Sequence, residues 1–181
     1  MTDLKDEEIA SLVQGGDQDS YGALIERYEK KLTRYGRRFL YDYDDIEDVV
    51  QEVFLKAYTH INSFDTKRSF SSWIYRIAHN EYINVLKKKK STSFFSLFEF
   101  DTFFPHLVAG KSPYDEAIEK EEKVRVENAV AKLDVKYKEP LLLFLYEDKS
   151  YEEISDILEI PKATVGVRIM RAKKQLAELL K

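Results

Sequence analysis

The chain has 181 residues, a formal net charge of −4 and 44% hydrophobic residues, enough apolar material for one or two small cores. It has no cysteine, which excludes a disulfide framework and a thiolate zinc site and fits a reducing compartment. The start, Met1-Thr2-Asp3-Leu4-Lys5-Asp6-Glu7-Glu8, lacks the basic stretch and apolar run of a signal peptide. No segment reaches the roughly eighteen apolar residues of a membrane span, so a cytoplasmic protein without membrane insertion is expected.

Six Gly and four Pro punctuate long stretches of helical periodicity with no strand alternation, and the expected fold class is all-α. After a turn at Gly15-Gly16-Asp17, a helix is predicted over about 20–40, with Tyr21, Leu24, Ile25, Tyr28, Leu32, Tyr35 and Phe39 inward. Asp44 or Asp45 is expected to cap a second helix whose inner face is Ile46, Val49, Val50, Val53, Phe54, Ala57 and Ile61. A third is predicted over about 70–90, carrying Trp73, Ile74, Ile77 and Ala78 and ending in Lys87-Lys88-Lys89-Lys90. Trp73 shares the helical phase of Ile77, which places it in the core.

Residues 91–113 mix Ser, Thr, Gly and Pro with a dense aromatic patch and read as a linker between domains at 1–90 and 114–181. Beyond them a charged helix is expected over 114–133, burying Val126, Ala129, Val130 and Leu133. Asp134 opens another that ends near Tyr146, with Pro140 predicting a kink or a later start. Glu147-Asp148-Lys149 then forms a turn.

The last thirty residues are the most telling. Ser150 and Glu153 make a capping box, and Ile154, Ile157 and Leu158 give the helix that follows one apolar face. Pro161 ends that helix and lets the next begin. In this last helix Val165, Ile169, Ala172, Leu176 and Leu179 keep helical spacing, leaving Lys162, Gly166, Val167, Met170, Arg171 and Lys174 outward. Residues 160–181 hold six basic residues against one acidic, whereas 111–159 hold eight against fourteen. A local basic face of this kind suits the DNA major groove; an ordinary helical hairpin with a solvated basic face is the competing reading.

Two further stretches, Asp45-Ile46-Glu47-Asp48-Val49-Val50-Gln51-Glu52-Val53-Phe54-Leu55-Lys56-Ala57-Tyr58 and Phe70-Ser71-Ser72-Trp73-Ile74-Tyr75-Arg76-Ile77-Ala78-His79-Asn80, join the Ser150 to Lys174 segment in a pattern. With these motifs the chain resembles the extracytoplasmic-function (ECF, group 4) branch of the sigma-70 family, over roughly residues 17–90 and 116–180. That resemblance implies two helical domains, sigma region 2 and sigma region 4, in a factor that directs bacterial core RNA polymerase to promoters, often as part of a stress response. It implies that Asp48, Gln51 and Glu52, with Leu55 on the same strip, bind the clamp helices of the polymerase beta-prime subunit. A partly apolar, acidic helix strip is physically suited to docking on another helix.

The resemblance also implies that Asn62 to Ser72 and the third helix capture a flipped non-template base of the minus-10 element. Ser63, Phe64, Ser69, Phe70, Tyr75 and Asn80 offer polar and stacking groups for it, and Arg76, Asn80 and the run containing Lys87 and Lys88 face the strand. The C-terminal domain is implied to read duplex minus-35 DNA, through Lys162, Thr164, Val167, Arg168, Met170, Arg171 and Lys174, and to meet the polymerase beta flap. Many members carry a basic residue followed by Ser or Thr where this chain has Gly166-Val167. Val167 and Met170 suit thymine methyl groups, and Gly166 suggests a close backbone approach. An anti-sigma factor is a partner the family often uses.

The linker departs from the family's polar pattern, with Phe94, Phe95, Phe98, Phe100, Phe103 and Phe104 in eleven residues, and is expected to be covered. His60, His79 and His106 have no metal-ligand spacing, and neither a phosphate loop nor a catalytic triad stands out, so no metal, no cofactor and no enzymatic activity are expected. From the residues alone, a conventional helix-turn-helix regulator that acts without core polymerase and a helical adaptor remain open.

Overall fold

The structure is a computed structural model that describes residues 4–40, 42–92, 125–126, 128–130 and 132–181. All its regular elements among the described residues are helical. Helix α1 spans Asp6–Gln14, α2 Tyr21–Gly36, α3 Tyr43–His60 and α4 Phe70–Thr92; after helical residues at 125–126 and 128–130 come α5 Val135–Tyr146, α6 Tyr151–Leu158 and α7 Lys162–Leu179.

The sequence pattern locates most of these elements and misplaces some ends. Helix α1 is an addition: three acidic residues open its first turn, where they favour a helix N-terminus, and Ile9, Ala10 and Val13 bury its inner side. Helix α2 stops at Gly36, four residues short of Leu40, and Ile25 is only half-buried. Helix α3 is capped by Asp42, whose side chain accepts a hydrogen bond from the Asp44 amide. All seven residues expected on its inner face are buried. Helix α4 runs two residues into the stretch read as linker, and the Phe-rich segment lies outside the described residues.

In the C-terminal half Asp134 caps α5, which runs through Pro140 rather than starting after it. Ser150 and Glu153 form the expected capping box, with the Glu153 amide donating to Ser150 Oγ and the Ser150 amide to Glu153. Two apolar residues expected inside are at the surface: Val126 is 39% and Leu179 45% exposed, the latter in the last turn of α7.

Trp73 is a further correction. The core side of α4 is the strip Phe70, Ile74, Ala78 and Tyr82 at four-residue spacing, joined by Tyr75, whereas Trp73 and Ile77 lie half-buried along its margin. Trp73 covers Phe64 and Phe70, with ring centroids 5.0 and 5.6 Å away, and turns its other side to a hollow described below.

The two halves meet across α4 and α6. At the centre is Glu147, read from sequence as part of a turn. Its side chain is 1% exposed, and it accepts hydrogen bonds from the Tyr75 hydroxyl at 2.7 Å and from Arg34 at 2.9 Å. Lys149 Nζ donates to Ser71 Oγ at 2.6 Å and sits over the Tyr75 ring, 4.3 Å from its centroid. Nearby, the Tyr35 hydroxyl lies 3.0 Å from His79 Nδ1, and His79 faces Glu139 of α5. Burial pushes the His79 imidazole down to about 4 and the Glu139 carboxyl up to about 7, so at neutral pH the histidine is uncharged and shares a neutral hydrogen bond with the tyrosine hydroxyl.

Candidate nucleic-acid interface

Three surfaces carry the residues singled out in the sequence. On the outer side of α3, Asp48, Gln51 and Glu52 are exposed and Leu55 is 60% exposed. The strip is held by Lys56, whose ammonium lies 2.7 Å from Glu81 on α4 and 3.3 Å from Glu52. One cation thereby ties the acidic strip to the neighbouring helix and leaves the Asp48 to Leu55 surface uncovered by the other described residues.

The second surface is a hollow of about 110 Å³ where the 61–69 loop meets the start of α4. The loop's shape is fixed from several sides. Gln14 Nε2 donates to the carbonyls of Ile61 and Phe64, at 2.7 and 2.8 Å, and Glu7 accepts from the Phe70 amide. Asp65 turns the chain by accepting from the Lys67 amide, and Ser69 Oγ accepts from the Ser72 amide at the start of α4. Ser63, Phe64, Ser69, Trp73, Arg68 and Arg76 line the hollow together with the carboxylates of Asp65 and Asp156. Such a lining can stack a base and hold the phosphates beside it.

The expected minus-10 residues divide between this hollow and other places. Ser63 reaches it, although its hydroxyl already donates to the His60 carbonyl. Phe64, 6% exposed, backs the hollow beneath Trp73. Phe70 is fully buried against Tyr28, Phe64 and Trp73, so it supports the loop rather than offering a surface. Tyr75 is 1% exposed and committed to Glu147. Asn80, Lys87 and Lys88 are exposed further along α4. Sequence reasoning passed over Arg68 and Ser72; both lie inside the stretch 62–72, and the adjacent cations Lys67 and Arg68 in a loop beside Phe64 and Phe70 are the signal for Arg68.

The third surface is the outer side of α7. Val167 is 42% and Met170 63% exposed, and Lys162, Arg171 and Lys174 are exposed around them, giving an apolar strip flanked by cations. Lys162 is paired with Glu152 of α6. Thr164 and Arg168 are half-buried, and Arg168 sits close enough to α5 to offset part of the burial that raises the Glu139 carboxyl, so it belongs to the margin of this surface. Gly166 faces the Tyr151 ring, and a β-carbon there would meet Tyr151 Cε2 at 3.5 Å, an ordinary contact. The glycine is not forced by packing within the chain. Gly166→Ala is therefore expected to raise stability by up to about 1 kcal/mol, through helix propensity, in urea titration.

Comparison with known proteins places these surfaces in a family context. A family profile described as sigma-70 region 2 matches residues 24–92, and one described as sigma-70, region 4 matches residues 123–176. The ECF RNA polymerase sigma factor SigW of Bacillus subtilis (strain 168) is 34% identical over 174 residues, covering 93% of each chain. The ECF RNA polymerase sigma-E factor of Escherichia coli (strain K12) is 30% identical over 178 residues, covering 96% of this chain and 93% of its own. Among solved structures, CnrH in complex with the cytosolic domain of CnrY superposes with a TM-score of 0.71 at 26% identity, over 97% of this chain and 96% of that one. RpoE of Bartonella quintana, in complex with the anti-sigma factor NepR, shares the fold with a TM-score of 0.64 at 21% identity, covering 88% of this chain and 96% of its own.

Proposed function

The chain belongs to the sigma-70 family, within its extracytoplasmic-function branch, and we propose that it divides promoter recognition among the three surfaces just described. It is an RNA polymerase sigma factor that directs core polymerase to specific promoters and initiates their melting. Sigma factors are not enzymes, and we assign this chain no reaction of its own. No helix among the described residues is long and apolar enough to cross a membrane. We assign it to the cytoplasm, where polymerase and promoters are.

The observation that carries the assignment of roles is the hollow beside α4, where stacking rings and two guanidinium groups converge at a loop stapled from below by α1. Extracting a base from the duplex costs a few kcal/mol, so a melting factor needs a rigid receptor to offset it. Phe64, Trp73, Ser63 and Ser69 form that receptor in our reading. Arg76, Asn80, Lys87 and Lys88 follow the non-template strand along α4. Phe70 acts behind the receptor.

The acidic strip Asp48, Gln51, Glu52 and Leu55 takes the beta-prime clamp helices. On α7, Lys162, Arg171 and Lys174 hold backbone phosphates of the duplex minus-35 element, Val167 and Met170 touch thymine methyl groups, and Thr164 and Arg168 contribute from the margin. The beta flap and an anti-sigma factor are further partners in this reading. An anti-sigma factor is present in the solved complex of RpoE with NepR.

The test is equilibrium binding of the labelled chain to bacterial core RNA polymerase, with promoter-length duplex DNA as parallel ligand. Tight binding to core with little affinity for duplex alone is expected. Firm duplex binding without core binding would mean a conventional regulator.

A further inference from the structure

The loop over residues 61–69 joins two helices, and a connection of this kind carries backbone groups that no helix ladder satisfies. Helix α1, which the sequence pattern does not announce, supplies partners at both of its ends. At the entry, Gln14 commits the two hydrogens of its side-chain amide to the carbonyls of Ile61 and Phe64, 2.7 and 2.8 Å away. At the exit, Glu7 Oε1 accepts from the Phe70 amide at 2.9 Å, a first-turn donor of α4 that has no partner within its own helix. Glu7 and Gln14 stand two helical turns apart, about 10 Å along one strip of α1. That span fixes how far the two ends of the loop lie from each other.

Helix α1 is itself anchored independently of the loop. Ile9, Ala10 and Val13 are buried in the core. Asp6 lies 2.6 Å from Arg27 and accepts from the Tyr28 hydroxyl at 2.5 Å, both on α2. Tyr28 in turn meets Phe70 edge-on, with ring centroids 5.6 Å apart. The stacking side of the hollow follows from these anchors. Gln14 holds the carbonyl of Phe64, whose ring lies 5.0 Å from Trp73, and Glu7 holds the first residue of the helix that carries Trp73. Glu7 and Gln14 do not themselves line the hollow.

We propose that Glu7 and Gln14 are positioning residues for base capture: α1 brackets the 61–69 loop at both ends, so that the receptor stands formed before the strand arrives. A loop that became ordered only on binding would subtract its lost freedom from the affinity for the strand. The bracket removes that cost by setting Phe64 and Trp73 in place beforehand. It acts through the loop and touches no base. The strand contacts assigned to Arg76, Asn80, Lys87 and Lys88 lie further along α4 and do not depend on it.

The inference rests on the reading of the hollow as the receptor for a flipped base, and the experiment separates the two. Holoenzyme is assembled from bacterial core polymerase and the full-length chain. Its affinity is read by fluorescence anisotropy on a forked promoter, duplex at minus-35 with a single-stranded non-template minus-10 extension. Each position of that extension is replaced in turn by an abasic residue. In the parent, loss of the captured base is expected to weaken binding about tenfold. Gln14→Ala and Glu7→Ala should each shrink that penalty to below about threefold, while binding the abasic fork as the parent does. Glu7→Gln keeps an acceptor oxygen for the Phe70 amide and should restore the parent penalty. Gln14→Glu preserves size but sets a carboxylate against two carbonyls, and should lose the penalty as alanine does. A residue that only stabilised the fold would lower the active fraction on both forks and leave their ratio unchanged. An undiminished penalty in the Gln14 and Glu7 variants overturns the inference alone. A parent with no abasic penalty at any position sinks the receptor reading, and the inference with it.

Discussion

Replacing Gly36 with alanine is expected to lower the unfolding free energy by about 3 kcal/mol, from overpacking at the crossing of α2 and α4 together with a weakened hydrogen bond. A β-carbon at this position would lie 2.3 Å from Tyr82 Oη and 2.5 Å from its Cζ, both well inside contact distance. The far end of a side chain can often swing away, but this ring cannot do so cheaply. Tyr82 is fully buried, its hydroxyl donates to the Leu32 carbonyl at 3.0 Å, and its ring lies parallel to Phe39 with centroids 5.5 Å apart. Moving it disturbs a cluster that also includes Tyr35, and through Tyr35 the hydrogen bond to His79. Urea unfolding followed by Trp73 fluorescence gives the stability. In a Tyr82→Ala background the same glycine change should cost nothing, and a penalty of equal size in both backgrounds would show that the helix crossing is not its source.

That crossing also marks how far the sequence could be read. Gly36 carries no periodic signal, and its role follows from which residue of α4 lies opposite, a fact decided by tertiary packing. Patterns confined to one helix were legible: the inner face of α3 is complete, and the Asp134 cap and the Ser150–Glu153 box are where the residue types place them. Errors arise where one element answers to two neighbours. Phase relative to Ile77 put Trp73 in the core, yet α4 is contacted by α2 and α3 and by α6 besides, and its most buried strip is that of Ile74. Glu147 gave the least warning. An acidic residue in a Glu-Asp-Lys turn looks solvated, and only the approach of Arg34 and Tyr75, more than seventy residues away in sequence, makes its burial tolerable. For the candidate site the residue types of the loop were readable, whereas its bracing by Glu7 and Gln14 was not, since both look like ordinary solvent-facing residues and their partners are backbone groups, which leave no trace in the sequence.

Reversing charge at Asp48 and Glu52 together, to lysine, is expected to weaken binding to core polymerase about a hundredfold, close to 3 kcal/mol. The two carboxylates lie one turn apart on the exposed side of α3, flanking the apolar contact offered by Leu55. A partner that accepts this strip must present cations or polar hydrogens around an apolar seat, and two new ammonium groups convert each attraction into a like-charge contact in a partly desolvated space. The fold should be indifferent to the change. Neither side chain is buried, and the one local pair that is lost, Glu52 with Lys56, is an exposed contact at i,i+4 spacing, while Lys56 keeps Glu81 at 2.7 Å. Melting temperatures within experimental scatter of the parent would confirm that premise. The loss should also shrink as ionic strength rises, because the repulsion is screened over about a Debye length of 8 Å at physiological salt. Leu55→Ala supplies the contrast, with a smaller, salt-independent loss of about tenfold from the apolar seat. Unchanged core binding by the double reversal, in a chain that melts normally, would make the α3 strip a solvated face and move the polymerase contact elsewhere on the molecule.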